Sequence, residues 1–213
     1  MASRPIKSGP TPEAAFAYGI SPSELVIGLD EVGRGAWAGP VVAGAVAMYA
    51  AQIVPGVNDS KKLSRITRNR LDRMIKTEVR AVGIGWVSSR EVDEFGLSWA
   101  VIESGRRALS ELELPGVKVF IDGSWNYPLE WRDSTAVVRG DGILVPIAAA
   151  SIVAKVARDN YMALLDARYP GYGFAANVGY GTSLHRAGLE KHGVSSAHRR
   201  SYKPLQRLLR EDD

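Results

Sequence analysis

Cysteine is absent from the 213 residues, which rules out a disulfide framework and any thiolate metal centre. Histidine is scarce, with three in all, so a bound metal would rest mainly on oxygen ligands, the preference of hard cations. No apolar run approaches the roughly 20 residues of a membrane-spanning helix. The opening stretch Met1 to Tyr18 mixes Pro, Gly, Lys, Glu and Ala, so neither a secretory leader nor an anchor is expected there. Internal repeats and low-complexity blocks are also missing. Neither charge sign dominates: 27 Lys and Arg against 23 Asp and Glu leave +4. The resulting pI near 9.4 leans toward a polyanionic partner, although such mild basicity is common among proteins that never meet one. What is present is ordinary globular composition, 46% hydrophobic and 23% charged, in a chain long enough for one buried core with a small appendage.

The pattern along the chain predicts a mixed sheet with helices on its faces. Glu24 to Asp30 is apolar and strand-like and ends near Glu31, where the Gly-rich stretch 32–39 begins. Pro40 to Ala50 reads as a second, antiparallel strand, and Val79 to Val87 as a third with two glycines inside it. Short strands are expected at Lys118 to Ile121 and Ala136 to Arg139. Helical spacing marks Arg65 to Thr77, Leu97 to Leu112 and Ser183 to His192. Proline brackets a long helix at Ile147 to Tyr169. Residues 1–23 read as a flexible tail, 24–170 as the main α/β domain and 171–213 as a helical C-terminal region.

Three clusters carry chemistry. Asp30 and Glu31 close an apolar strand and are followed by Gly33-Arg34-Gly35. Such a pair is also what a solvated turn looks like. If the strand breaks at Glu31, however, both carboxylates reach the carboxyl end of the sheet, where α/β proteins place ligands. Glycine lets backbone approach a ligand closely, and Arg34 can fork onto phosphate. Backbone that close can test for a 2′-hydroxyl, which separates RNA from DNA. Asp122, followed by Gly123, ends the strand 118–121 in the same way, although Asp-Gly alone is a common turn pair. On the long helix Ser151, Lys155 and Asp159 recur every four residues and form one stripe; an ordinary surface ion pair would produce the same spacing.

Carboxylates brought together would repel each other until they protonate or recruit a divalent cation. Oxygen-only ligation suits Mg2+ or Mn2+, and two such ions about 3.5–4 Å apart can activate water and stabilise a leaving oxygen. Groups suited to nucleic acid are Lys61, Lys62, Arg65, Arg68, Arg70, Arg199, Arg200, Tyr202 and Lys203, with Tyr180 exposed between glycines for packing on a sugar or base. His185, His192 and His198 have no zinc-like spacing and read as surface or helix-end residues.

The stretches GLDEVGRGAWAGPVVAGAV (28–46), DSKKLS (59–64), FIDG (120–123), IAAASIVAKVARD (147–159), GYGT (179–182) and HRRSY (198–202) resemble the bacterial type 2 ribonuclease H family, ribonuclease HII, in its order. The resemblance implies a ribonuclease H-like mixed five-stranded sheet flanked by helices, with a small helical C-terminal region completing the substrate groove. It implies an endoribonuclease that cuts the RNA strand of RNA-DNA hybrids and nicks 5′ of single ribonucleotides in duplex DNA, initiating their excision. Two-metal-ion hydrolysis would leave 5′-phosphate and 3′-hydroxyl ends. Its metal-binding and catalytic acids fall on Asp30, Glu31, Asp122 and Asp159. Substrate contacts fall on Gly33, Arg34, Gly35, Ser60, Lys61, Ser151, Lys155 and Tyr180, with the 33–35 backbone reading the 2′-hydroxyl and Tyr180 packing on the adjoining deoxyribose. A cytoplasmic monomer is expected, with no membrane contact and with a sliding clamp as a partner for the tail Leu205 to Asp213. Departures from the family pattern are Val32 for alanine, Val178 for lysine, Tyr202 for phenylalanine, and the stretch Ser124 to Arg132 with Trp125, Tyr127 and Trp131.

Two other readings compete. A junction resolvase or transposase core would use clustered acids on a similar sheet but would lack the pairing of Gly33-Arg34-Gly35 with Tyr180. A non-catalytic RNA-binding module would need the bases but would leave the acids unexplained.

Overall fold

The computed structural model describes residues 9–124 and 133–211, so the Trp125–Trp131 stretch lies outside the described residues. The chain runs α1 (Glu13–Phe16), β1 (Leu25–Val32), β2 (Val41–Tyr49), α2 (Arg65–Glu78), β3 (Ala81–Val87), α3 (Ser89–Phe95) and α4 (Leu97–Ser110). It continues through β4 (Lys118–Asp122), β5 (Ser134–Val137), α5 (Val145–Arg168), α6 (Phe174–Asn177), α7 (Ser183–His192) and α8 (Lys203–Glu211). The strands form one sheet in the order β3-β2-β1-β4-β5, antiparallel across β1 to β3 and parallel from β1 through β4 to β5. The short connection after β1 forces the antiparallel return, while the helical crossovers that follow permit the parallel pairs. This is the expected mixed five-stranded architecture.

Helices cover both faces. Ile27, Leu29, Ala43, Ala45 and Ile121 point toward α4 and pack with Val101, Ala108 and Leu109. Val46 and Met48 face α5 and α2, where Ala149, Ile152, Val153, Leu71 and Ile75 complete a second apolar layer. Each such large side chain taken from water contributes roughly 1.5–3 kcal/mol. Gly28 decides how closely α5 lies on the sheet. A Cβ at Gly28 would overlap the Pro146 carbonyl, so the start of α5 rests directly on the backbone of β1. The two glycines of β3 have the same explanation on the other face: Gly83 and Gly85 lie against the Ala108 and Ser104 backbone of α4.

Three expectations need correction. The stretch 9–23, read as part of a flexible tail, contains α1, and its Ala15 and Ile20 are buried against Val26, Phe120 and Ile147. The segment 89–95, unassigned from sequence, is a helix with a capping box between Ser88 and Glu91. The tail from Leu205, expected to serve a sliding clamp, starts inside α8 with Leu205 fully buried beside Met162 and Phe174. Packing holds α1 and α8, whereas 89–95 is set by its capping box.

Candidate active site

The acids at strand ends converge because β1 and β4 are parallel neighbours. Leu29 pairs with Ile121, which sets Asp30 and Asp122 side by side at the carboxyl end of the sheet. Asp30 lies on the α5 face, where the Ser151 hydroxyl bonds it and its own Oδ1 accepts the Glu31 N–H at 2.7 Å. β1 continues to Val32 instead of breaking at Glu31, so Glu31 alternates toward the other face, with Oε1 3.4 Å from Arg34 Nη1. Burial, then the fields of Glu31, Asp122 and Asp141, push the Asp30 carboxyl well above its usual range, against the Ser151 hydrogen bond. An acid so placed is stabilised by an added cation.

Asp141 was not singled out in the sequence. It occupies a 3-10 turn, Gly140–Gly142, between β5 and α5, and the Gly140 N–H donates to Asp122 Oδ1 at 2.7 Å. Burial, Asp122 and Asp59 raise the Asp141 pKa, and Lys61 opposes them from 3.8 Å. Lys61 itself is 82% exposed and sits above the acids; partial burial works against its charge, but Asp141, Asp30, Asp59 and Asp122 more than offset this.

Asp159 stands elsewhere. Its Oδ1 accepts from Lys155 Nζ at 2.8 Å and its Oδ2 lies 3.6 Å from Arg68 Nη2. The stripe Ser151, Lys155, Asp159 is real, but its near end, Ser151, is the part that meets Asp30. Eight residues of helix carry Asp159 about 12 Å further along the axis. The acids acting most strongly on Asp30 are therefore Glu31, Asp122 and Asp141. Among the described residues no three acidic or imidazole groups are already drawn into one ligand set. The Gly140 and Glu31 amides, Ser151 and Lys61 are partners of these carboxylates. The donors are nonetheless all carboxylate oxygens, which fits Mg2+ or Mn2+.

Two of the expected substrate contacts point inward. Ser60 and Ser151 are buried and share a hydrogen bond of 2.7 Å, so they brace the loop before α2 against α5. Lys155 is mostly covered and committed to Asp159. Arg68, grouped with the basic surface, instead donates to the Ser60 and Leu63 carbonyls.

The second half of the site joins the Gly33-Arg34-Gly35 loop to Tyr180. A Cβ on Gly35 would stand 3.7 Å from Tyr180 Cε1, and the Tyr180 ring is 39% exposed. Gly33 has φ +94°, and a side chain there would run into Arg158. The Trp37 N–H donates to the Gly179 carbonyl at 2.7 Å, which ties the two loops together. Beneath them Arg158 donates to the carbonyls of Pro40, Val178 and Ala38, and Arg199 donates to those of Gly39 and Arg34. Arg199 is fully buried, not part of a nucleic-acid surface. Burial and the neighbouring Arg199 pull the Arg158 pKa down to about 10. His185 and His198, expected at the surface, are buried with their Nε2 atoms 3.0 Å apart. Charge or polarity alone indicated exposure for these residues; the arginines' partners are carbonyls, and the histidines' partners are each other, Ser195 and the Tyr180 carbonyl, which only the tertiary structure supplies.

A family model described as Ribonuclease HII matches residues 27–205, from β1 into α8. The chain belongs to the ribonuclease HII family. The Ribonuclease HII of Jannaschia sp. (strain CCS1) is 48% identical over 185 residues, 87% of this chain and 92% of that protein. The ribonuclease H2 of Pyrococcus horikoshii OT3 shares the fold at a TM-score of 0.75, with 24% identity, across 88% of this chain and 98% of that one. The RNase HII in a PCNA complex from Archaeoglobus fulgidus superposes at 0.67 with 25% identity, covering 84% and 95%. A Bst-RNase HIII in complex with Mn2+ shares the fold at 0.72 with 20% identity, covering 93% and 73%. As a ribonuclease HII the chain is a metal-dependent endoribonuclease.

Proposed function

We propose that this enzyme hydrolyses the RNA strand of RNA-DNA hybrids and nicks 5′ of single ribonucleotides in duplex DNA, with Asp30, Glu31, Asp122 and Asp141 holding Mg2+ or Mn2+. The observation that carries the reading is the buried Asp30 carboxylate, pressed by Glu31, Asp122 and Asp141. Asp141 replaces Asp159 as the fourth acid. Asp159 instead holds Lys155 and Arg68. Bound divalent ions supply Lewis-acid activation of water and charge stabilisation at the leaving oxygen, giving 5′-phosphate and 3′-hydroxyl ends.

The protein's own groups do the rest. Ser151 orients Asp30, and Ser60 orients Ser151. Lys61, the exposed cation above the acids, meets the phosphate backbone, and the 62% exposed Arg34 side chain reaches it from the other side. The Gly33 to Gly35 backbone tests for the 2′-hydroxyl while Tyr180 packs on the next sugar. The enzyme works as a cytoplasmic monomer, in the compartment that holds such duplexes. A sliding clamp is its partner, as the PCNA complex of the Archaeoglobus protein supports. Because Leu205 is buried, the clamp-binding stretch begins beyond it.

The test is a duplex with one embedded ribonucleotide, incubated with and without Mg2+ or Mn2+ and mapped for the cut. A single metal-dependent nick 5′ of the ribonucleotide, lost in Asp122→Asn while duplex binding persists, is the expected result. Unchanged cleavage by Asp122→Asn would reject the assignment.

A further inference from the structure

The Arg34 carbonyl is held from inside the protein by two groups far away in sequence. Arg199 Nη1 donates to it at 3.0 Å, and the Tyr202 hydroxyl donates to the same oxygen. Arg199 Nη1 also lies 2.8 Å from the Tyr202 oxygen, while its Nε and Nη2 fork onto the Gly39 carbonyl at 3.0 and 2.8 Å. No carboxylate forms a salt bridge to this guanidinium among the described residues, so its donors are spent on the loop backbone. A fully buried cation committed in this way is costly to place, and it persists only where the backbone it holds needs a fixed geometry.

That geometry has a direction. In a trans peptide the carbonyl and the following N–H point to opposite sides. Fixing the Arg34 carbonyl inward therefore turns the Gly35 N–H outward, on the side where Gly35 adjoins the exposed Tyr180 ring. We propose that Arg199 and Tyr202 are positioning residues for sugar selectivity: they lock the Arg34–Gly35 peptide so that its N–H meets the ribose 2′-hydroxyl. This rests on the reading that the Gly33 to Gly35 backbone recognises that hydroxyl. Neither residue touches the reacting phosphate. Rotating this peptide would not alter duplex affinity in general; it would remove the preference for ribose.

Tyr202→Phe keeps the ring and deletes only the hydroxyl, and Arg199→Lys keeps the charge but loses the fork. Binding is measured in Ca2+ to one duplex carrying a single ribonucleotide and to the same duplex made wholly of DNA, alongside thermal unfolding of each variant. We expect Arg199→Lys to lower the ribose preference about 10-fold, the scale of one hydrogen bond, with affinity for the all-DNA duplex unchanged. Tyr202→Phe, which restores the phenylalanine of the family pattern, should lose less, and in cleavage assays both should act through KM on the single-ribonucleotide substrate. If wild type prefers ribose and Arg199→Lys retains that preference in full, the positioning role is overturned and the reading of the loop survives. Parallel losses on both duplexes would likewise overturn it, leaving a purely structural role. A wild type that binds both duplexes alike removes the reading itself and this inference with it.

Discussion

The hydroxyls of Ser60 and Ser151 lie 2.7 Å apart in a buried contact, and Ser151 also bonds Asp30. An ionised carboxylate only accepts, so Ser151 donates to Asp30 and Ser60 donates to Ser151. The chain of donors lowers the Asp30 pKa against the burial that raises it. Ser151→Ala should leave Asp30 more readily protonated and less able to accept a cation. Losing an orienting partner of a metal ligand costs about 10–100-fold in metal affinity. The Mg2+ concentration for half-maximal cleavage should rise by that order, and an unchanged requirement would contradict the role.

Tyr180 shares its position with Gly35 rather than with the acids. Tyr180→Ala should therefore weaken cleavage at a single embedded ribonucleotide more than cleavage of long hybrids, which offer many registers. Base or sugar packing on an aromatic ring is worth about 1–3 kcal/mol, so a loss of roughly 10-fold or more on the single site is expected. Steady-state kinetics on the two substrates decide it, and equal losses would count against the assignment.

The histidine pair gives the C-terminal region a pH limit. His185 Nδ1 lies 3.0 Å from the Tyr180 carbonyl and must donate to it, while His198 Nδ1 accepts the Ser195 N–H at 3.1 Å. His198 Nε2–H then donates to His185 Nε2, with both rings neutral. Burial, then His185, lowers the His198 pKa from 6.5 to about 4. Because the folded pKa lies below the unfolded one, the unfolded chain binds more protons in between. The stability is thus complete above about 6.5 and drains away as pH falls toward 4. Thermal unfolding followed by circular dichroism should show that slope, and His198→Gln should flatten it; an identical slope in the variant would exclude His198 as its source.

Much of this site could be read from sequence because the strands announce themselves. Asp30 and Asp122 each follow an apolar run near the carboxyl end of a strand, and parallel pairing does the rest. α5 was legible from its bounding prolines, and of its stripe Ser151 reaches Asp30. Asp141 was hidden: a glycine-flanked aspartate in a three-residue turn has no period to reveal it, and only the Gly140–Asp122 bond places it. Asp159 shares the helix face of Ser151 but lies about two turns beyond it, and a stripe fixes a face of a helix but not how far along it a site extends. Arg158 and Arg199 look like surface cations until the carbonyls of residues more than a hundred positions away are seen to surround them.

Substrate binding should also respond to salt. Lys61 and Arg34 are exposed cations flanking the acids, and each phosphate contact made releases counterions. Affinity for the ribonucleotide duplex should fall steeply and log-linearly with salt, with a shallower slope in Lys61→Ala. A slope unaffected by that change would take Lys61 out of the phosphate contacts.

In the proposed site Asp141 joins Asp30, Glu31 and Asp122 around the cations, and Asp159 lies outside it. Calorimetric titration of Mn2+ into Asp141→Asn and Asp159→Asn, paired with cleavage of the single-ribonucleotide duplex, tests it most directly. Asp141→Asn should lose Mn2+ binding and at least about 100-fold in cleavage, as when a charge-stabilising group is removed from a reaction centre. Asp159→Asn should keep Mn2+ and lose thermal stability instead. Mn2+ binding that survives in Asp141→Asn and disappears in Asp159→Asn would contradict the account.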